Sequence, residues 1–153
     1  VVAGELYATI EDINAHLPPG KAEIEDAEDD LLQVDAFRFI RSKLIGTFAT
    51  TTLALWIDPD STPEVIRAIA GRLIAAKWYM EIYAEDSDED AAYAQRLYDE
   101  AMSMLQQILD GTITVIDPTT EEPYPDVQTG MLTDASFHPS DDNPKFTMDM
   151  EFA

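Results

Sequence analysis

Two histidines and two clusters of carboxylates are the only residues whose types and spacing approach recognisable site chemistry. Asp86, Asp88 and Asp90 have the D-x-D-x-D spacing that opens a calcium-binding loop. Such a loop needs a glycine at its sixth position and a bidentate acid at its twelfth. Ala91 and Leu97 stand there instead, so the spacing reads as an acidic turn. Asp58, Asp60 and Glu64 surround Pro59 and Pro63 and read as a turn followed by a helix cap. His16 sits beside Leu17-Pro18 at a helix end, and His138 precedes Pro139 far from any second histidine. Neither has the paired spacing that a zinc site uses. There is no cysteine, which removes thiolate ligands, thiol nucleophiles and disulfides. No glycine-rich phosphate loop and no nucleophile motif is present. The aromatic group Trp56, Trp78, Tyr79 and Tyr83 falls on helical spacing and reads as core or interface. The residues therefore lead to an expectation of no enzymatic activity, no cofactor and no metal.

The elements that hold these residues are helical. Thr9 is a good N-cap with Asp12 at the capping-box position, and Ile10, Ile13 and Leu17 share one face before Pro18-Pro19-Gly20 stops the helix. A second helix is expected from about Glu28 to about Ala49, with Val34, Phe37, Ile40, Leu44 and Phe48 at near-helical spacing. Thr50-Thr51-Thr52 is a weak place to continue it. A third helix is expected to start at Ser61 or Thr62, with Pro63 in its first turn and Glu64 closing a capping box. Its apolar face is Ile66, Ile69, Ala70, Leu73, Ala76 and Met80. A fourth runs from about Asp88 to Asp110 with Ala94, Leu97, Ala101, Leu105 and Ile108 on one face, and Gly111 is a natural stop. The fold class is all-α: a bundle of about four helices over residues 5–111, with Ile13, Val34, Phe37, Ile40, Leu44, Ile66, Ile69, Leu73, Leu97, Ala101, Leu105 and Ile108 as its core. A short β-prone segment, Thr112 to Ile116, follows. Residues 112–153 then read as an extended C-terminal arm, because Pro118, Pro123, Pro125, Pro139 and Pro144 block a continuous helix or central strand. Within it, Phe137 and the alternating Phe146, Met148, Met150 and Phe152 give one apolar strand face for docking on a neighbour.

Length and charge narrow the class further. The 153 residues suffice for one core plus a tail, and 46% hydrophobic content is ordinary for a globular chain. The formal net charge of -22 opposes adhesion to nucleic-acid phosphates or to an anionic membrane surface. No apolar run has the length of a membrane span. The acids concentrate in Glu23 to Asp30, in Glu85 to Asp90 and after Asp117. Arg38, Arg41, Lys43, Arg67, Arg72, Lys77 and Arg96 all lie in the middle, which leaves the helices nearly balanced in charge. Among them Arg38, Arg41, Arg67 and Arg72 are the candidate interface residues on the helices.

Three pieces together resemble the head-tail connector, or adaptor, proteins of long-tailed bacteriophages. Tyr7-Ala8-Thr9 with Asp12-Ile13 is similar to that family's opening "Y-A-T-x-x-D-[IL]" helix. Pro63-Glu64-Val65-Ile66-Arg67 running to Lys77-Trp78-Tyr79 is similar to its helix that begins at proline and ends in aromatics. Tyr93 to Gly111 is similar to its last helix, which closes on "L-x-x-[IL]-x-x-G" before a short β segment. The likeness covers about residues 5–116. Two departures are visible: Phe48 to Pro59 is longer and more apolar than in that family, and the tail after Asp117 is longer than in compact members. The resemblance implies a virion structural protein in the neck between head and tail, present in the host cytoplasm during assembly. It implies a ring of identical subunits, usually twelve-fold, that extends the DNA channel without binding DNA specifically. Its partners are then itself, the portal protein and a stopper or tail-side connector protein, with no membrane. Two other classes stay open. An acidic helical chain can mimic DNA and inhibit a nucleic-acid-binding protein, although its acids then belong in a stripe along one helix. It can also be a small assembly chaperone.

Overall fold

The computed structural model describes residues 6–20, 24, 26–83 and 87–125, without the side chains of 26–30. Among the described residues there are five helices: α1 (Ile10–Asn14), α2 (Asp26–Leu44), α3 (Thr50–Leu53), α4 (Glu64–Tyr83) and α5 (Asp88–Leu109). The all-α bundle expected from periodicity is the fold. α4 is its centre and packs against α1, α2 and α5. This is why α4 is apolar nearly all round, burying Ile66, Ile69, Ala70, Leu73, Ile74, Ala75, Ala76, Trp78 and Tyr79. α5 is one-sided by contrast. It buries Ala94, Leu97, Ala101, Leu105 and Ile108, the stripe its sequence spacing marks.

Local chemistry sets most of the helix ends. Thr9 and Asp12 form a reciprocal capping box: the Asp12 amide donates to Thr9 Oγ1 at 3.0 Å and the Thr9 amide to Asp12 Oδ2 at 2.9 Å. Ser87 caps α5 by accepting the Asp90 amide. The C-terminal end of α5 is a Schellman turn. Thr112 donates to the Gln107 carbonyl at 2.8 Å, Gly111 donates to Ile108, and Gly111 takes φ +83°, where a Cβ is disfavoured.

Three boundaries differ from the sequence reading. The second helix stops at Leu44, not near Ala49. Gly46 and Thr47 are poor helix formers, and the chain turns there so that Phe48 faces inward against Trp56, with ring centroids 5.7 Å apart. The threonine run forms a new short helix, α3, whose Leu53 is fully buried. Finally, α4 begins at Glu64 and the hydroxyls of Ser61 and Thr62 bond the preceding turn. Ser61 Oγ accepts the Ile57 and Asp58 amides, and Thr62 Oγ1 donates to the Asp58 carbonyl at 2.7 Å.

The expected core is buried apart from Val34, which is half-exposed on α2, and Met80 of the α4 face is exposed. The core also extends past the boundary drawn at Gly111. Val115 is buried, and Tyr124 lies edge-on to Trp56 at 5.5 Å. The β-prone segment closes as a tight turn and not as a strand. Tyr124 donates to the Val115 carbonyl, Asp117 to Glu122, and Ile116 pairs with Pro123 in a single antiparallel bridge. Residues 112–125 thus share the core of the helices, because Trp56 leaves an aromatic edge that Tyr124 covers.

Candidate assembly surfaces

The interior polar groups join segments far apart in sequence. Arg67 of α4 holds Asp12 of α1 in a bidentate pair, with Nε to Oδ2 at 3.1 Å and Nη2 to Oδ2 at 2.8 Å. The two side chains are only 31% and 28% exposed. Gly71 lets the helices meet: a Cβ there would stand 3.0 Å from the Asp12 carbonyl oxygen. The Tyr93 hydroxyl of α5 donates to the His16 carbonyl at the end of α1. Gln33 of α2 donates to the Ala8 carbonyl at 2.6 Å, and Asn14 brackets the Ile24 backbone with its amide and carbonyl.

Contacts within the chain account for three of the four arginines. Arg67 serves inside the chain, as the Asp12 pair shows. Arg72 lies 3.4 Å from Glu100 of α5 and donates to the Ala68 carbonyl. Arg41 donates to the Leu53 carbonyl and lies 6.0 Å from the Phe37 ring centroid. Within the chain these three fasten helices to their neighbours. Arg38 is exposed on α2. The arm residues Phe137, Phe146, Met148, Met150 and Phe152 lie outside the described residues.

The acid clusters are local. Asp58 bonds Ser61 at the turn before α4, and Asp90 accepts from the Tyr79 hydroxyl beside the α5 cap. Burial, with the Asp90 carboxylate adding to it, pushes the Tyr79 hydroxyl up to about 12. Among the described residues no three His, Cys, Asp or Glu side chains group as metal ligands, and no helix is long and apolar enough to cross a membrane. Burial and the nearby Arg72 lower the His16 pKa, against Glu100 and Asp12.

Asp12 makes a measurable pH signature. Burial raises its pKa, but the Thr9 amide, the Arg67 guanidinium and the Thr9 hydroxyl outweigh that and hold it below 3.8. A depressed carboxyl pKa stabilises the fold above the unfolded value and loses that stabilisation as pH falls through the folded one. We expect Asp12→Asn to remove about 1–2 kcal/mol at pH 7, between the values for exposed and buried pairs. The deficit relative to the parent chain should shrink as pH falls below 3.8. Urea unfolding of both proteins from pH 7 to pH 3 checks this, and a deficit that persists unchanged at the acid end refutes it.

The exposed large apolar side chains among the described residues divide between two ends. α2 and α5 both run antiparallel to α4: Leu32 and Asp35 share a groove with Lys77, Met80 and Glu81, and Gln95 and Tyr98 share another with Ala76, Lys77 and Met80. At this upper end Leu31 (77%), Met80 (41%) and Ile82 are exposed. At the base, Ile45, Leu55 (58%), Ile57 (54%) and Ile116 are exposed around the α2–α4 connection. The rise along α4 from Glu64 at the base to Met80 puts the ends roughly 24 Å apart at 1.5 Å per residue. Base grooves of about 220 Å³ and 440 Å³ run between the helices and the Val115–Tyr124 turn. Exposed apolar side chains in groups mark contact surfaces more often than isolated ones do. Comparison with known proteins found no matching family model, curated protein or solved structure.

Proposed function

We propose that this chain is a structural ring protein of the neck of a long-tailed bacteriophage, seated between the portal of the head and the tail-side connector or stopper. The observation that carries the reading is the way its three connector-like pieces meet. Asp12 of the first piece is gripped by Arg67 of the second, and Tyr93 of the third bonds the carbonyl that ends the first helix. The residues that carry the resemblance therefore act as one joint and not as three unrelated likenesses.

Two further features support the same reading. A ring of identical subunits needs two unlike faces on each subunit, because its contacts are head-to-tail. The upper apolar group and the base group are unlike in sequence and lie at opposite ends of the helical hairpin. The acidic surface suits a channel wall: phosphates are repelled from it, so DNA slides without sticking. On this reading the chain is not an enzyme and takes no cofactor, and its partners are its own copies, the portal and a tail-side protein. The arm extends to one of those neighbours.

The test is to label purified phage particles with an antibody against the chain and image them. A signal at the neck, with averaged views showing a ring of usually twelve copies, is the expected result. A chain present in the lysate but absent from finished particles is an assembly chaperone instead. A free monomer or dimer that blocks a DNA-binding enzyme is a DNA mimic. Either result ends the neck assignment.

A further inference from the structure

The groove between the upper halves of α4 and α5 has a floor and a charge that together specify an occupant. It measures about 260 Å³, enough for one or two large side chains, and its lining is mostly apolar, from Ala76, Met80 and Tyr98. Lys77 is the single charged residue lining it, with Gln95 on the opposite rim. Lys77 is exposed and makes no ion pair among the described residues. The adjoining groove shares Lys77 and Met80 but adds Asp35 and Glu81, whose two carboxylates outnumber the lysine and oppose an acidic guest. The first groove therefore fits a short segment with large apolar side chains on one face and carboxylates on the other.

The chain contains one such segment outside the described fold. Phe146, Met148, Met150 and Phe152 alternate with Thr147, Asp149 and Glu151. In an extended backbone the apolar four share one face and the two acids share the other. The route is short enough. The described chain ends at Pro125, beside Tyr124 on Trp56 at the base. From the base to the middle of the groove is roughly 20 Å along α4 at 1.5 Å per residue. Residues 126–145, treated as a random coil, have a root-mean-square span of roughly 25 Å. A tether whose natural span matches the separation gives its own site the highest effective concentration, commonly in the millimolar range for short flexible linkers. A second copy in dilute solution cannot match that.

We infer that in the unassembled protomer residues 146–152 dock in the α4–α5 groove of their own chain, apolar face down on Met80 and Tyr98, with Asp149 or Glu151 beside Lys77. The tail then covers Met80 of the upper apolar group. This docking concerns the free chain and holds whether or not the chain enters a phage neck.

The absence of cysteine makes the test direct. The full chain carrying Gln95→Cys and Thr147→Cys keeps all four apolar tail residues. Under mild oxidation at low micromolar concentration it should close an intramolecular disulfide, read as a faster-migrating monomer on a non-reducing gel. A control pair, Ile57→Cys with Thr147→Cys, places the first cysteine at the base. The Gln95 pair should close on the order of tenfold faster than the control, because docking raises the local concentration. Adding Phe146→Asp and Phe152→Asp should bring its rate down to the control. Equal rates for the two pairs overturn the inference. So does a rate unchanged by the aspartates, and so does cross-linking that appears only between chains.

Discussion

Replacing Trp56 by alanine should lower the unfolding free energy by about 3–5 kcal/mol, the usual loss for a large aromatic in a packed core. The indole is 1% exposed and touches three rings: Tyr7 at 6.4 Å, Phe48 at 5.7 Å and Tyr124 at 5.5 Å between centroids. These come from the segment before α1, the turn after α2 and the turn after α5. One side chain therefore holds together three stretches that no helix connects. At roughly 2–4 °C per kcal/mol for a chain of this size, the melting temperature should fall by roughly 10 °C. Hydrogen exchange gives a second, local reading. The Tyr124 amide, bonded to the Val115 carbonyl at 2.9 Å, should lose protection before the amides of α4 do. A variant whose Tyr124 amide stays protected, or whose stability drops by less than about 1 kcal/mol, would show that residues 112–125 are not part of the core.

Gly71→Val should separate α1 from α4 at a loss of about 2–3 kcal/mol, the scale of overpacking at a closed contact. A Cβ at position 71 would lie 3.0 Å from the Asp12 carbonyl oxygen and 3.5 Å from the His16 ring. The atom in the way is backbone, so the whole of α1 must move. Moving it also pulls Asp12 from Arg67. Helix propensity argues the opposite sign for the milder Gly71→Ala, since alanine is favoured over glycine by about 1 kcal/mol in a helix interior. The steric term decides for valine, which adds branching at Cβ as well. Denaturant unfolding measures the loss, and a double-mutant cycle with Arg67→Met measures the coupling. If the two substitutions add independently, Gly71 is not what sets the α1–α4 approach.

The four longer segments of the helical pattern were legible in the residues. Thr9 with Asp12 and Gly111 after Ile108 are local devices whose geometry depends on a few neighbouring atoms. The stripe on α5 was legible too, because one face meets the core and the other meets water. α4 was harder to read. Its apolar residues surround the helix, so periodicity placed the exposed Met80 on the apolar face while Ile74 and Trp78 were left off it. A helix at the centre of a bundle has no polar side to mark its orientation.

The charged and connecting residues were not legible in the same way. Arg67 and Asp12 are 55 positions apart, and no local pattern announces that one holds the other. The end of α2 at Leu44 depended on Phe48 finding Trp56, and the place of residues 112–125 depended on Tyr124 covering that same indole. Propensity in such short stretches is worth a few tenths of a kcal/mol per residue. Burial of one large aromatic is worth several, so tertiary contact overrides it. The sequence by itself determined the all-α class, the cap of α1, the stop of α5, most of the core and the acidic, cysteine-free character of the chain. Only the tertiary structure decided which arginines fasten helices, where the core ends, and that the exposed apolar residues divide between two ends. Those outcomes rest on contacts between distant segments, whose energies no local window of the chain contains.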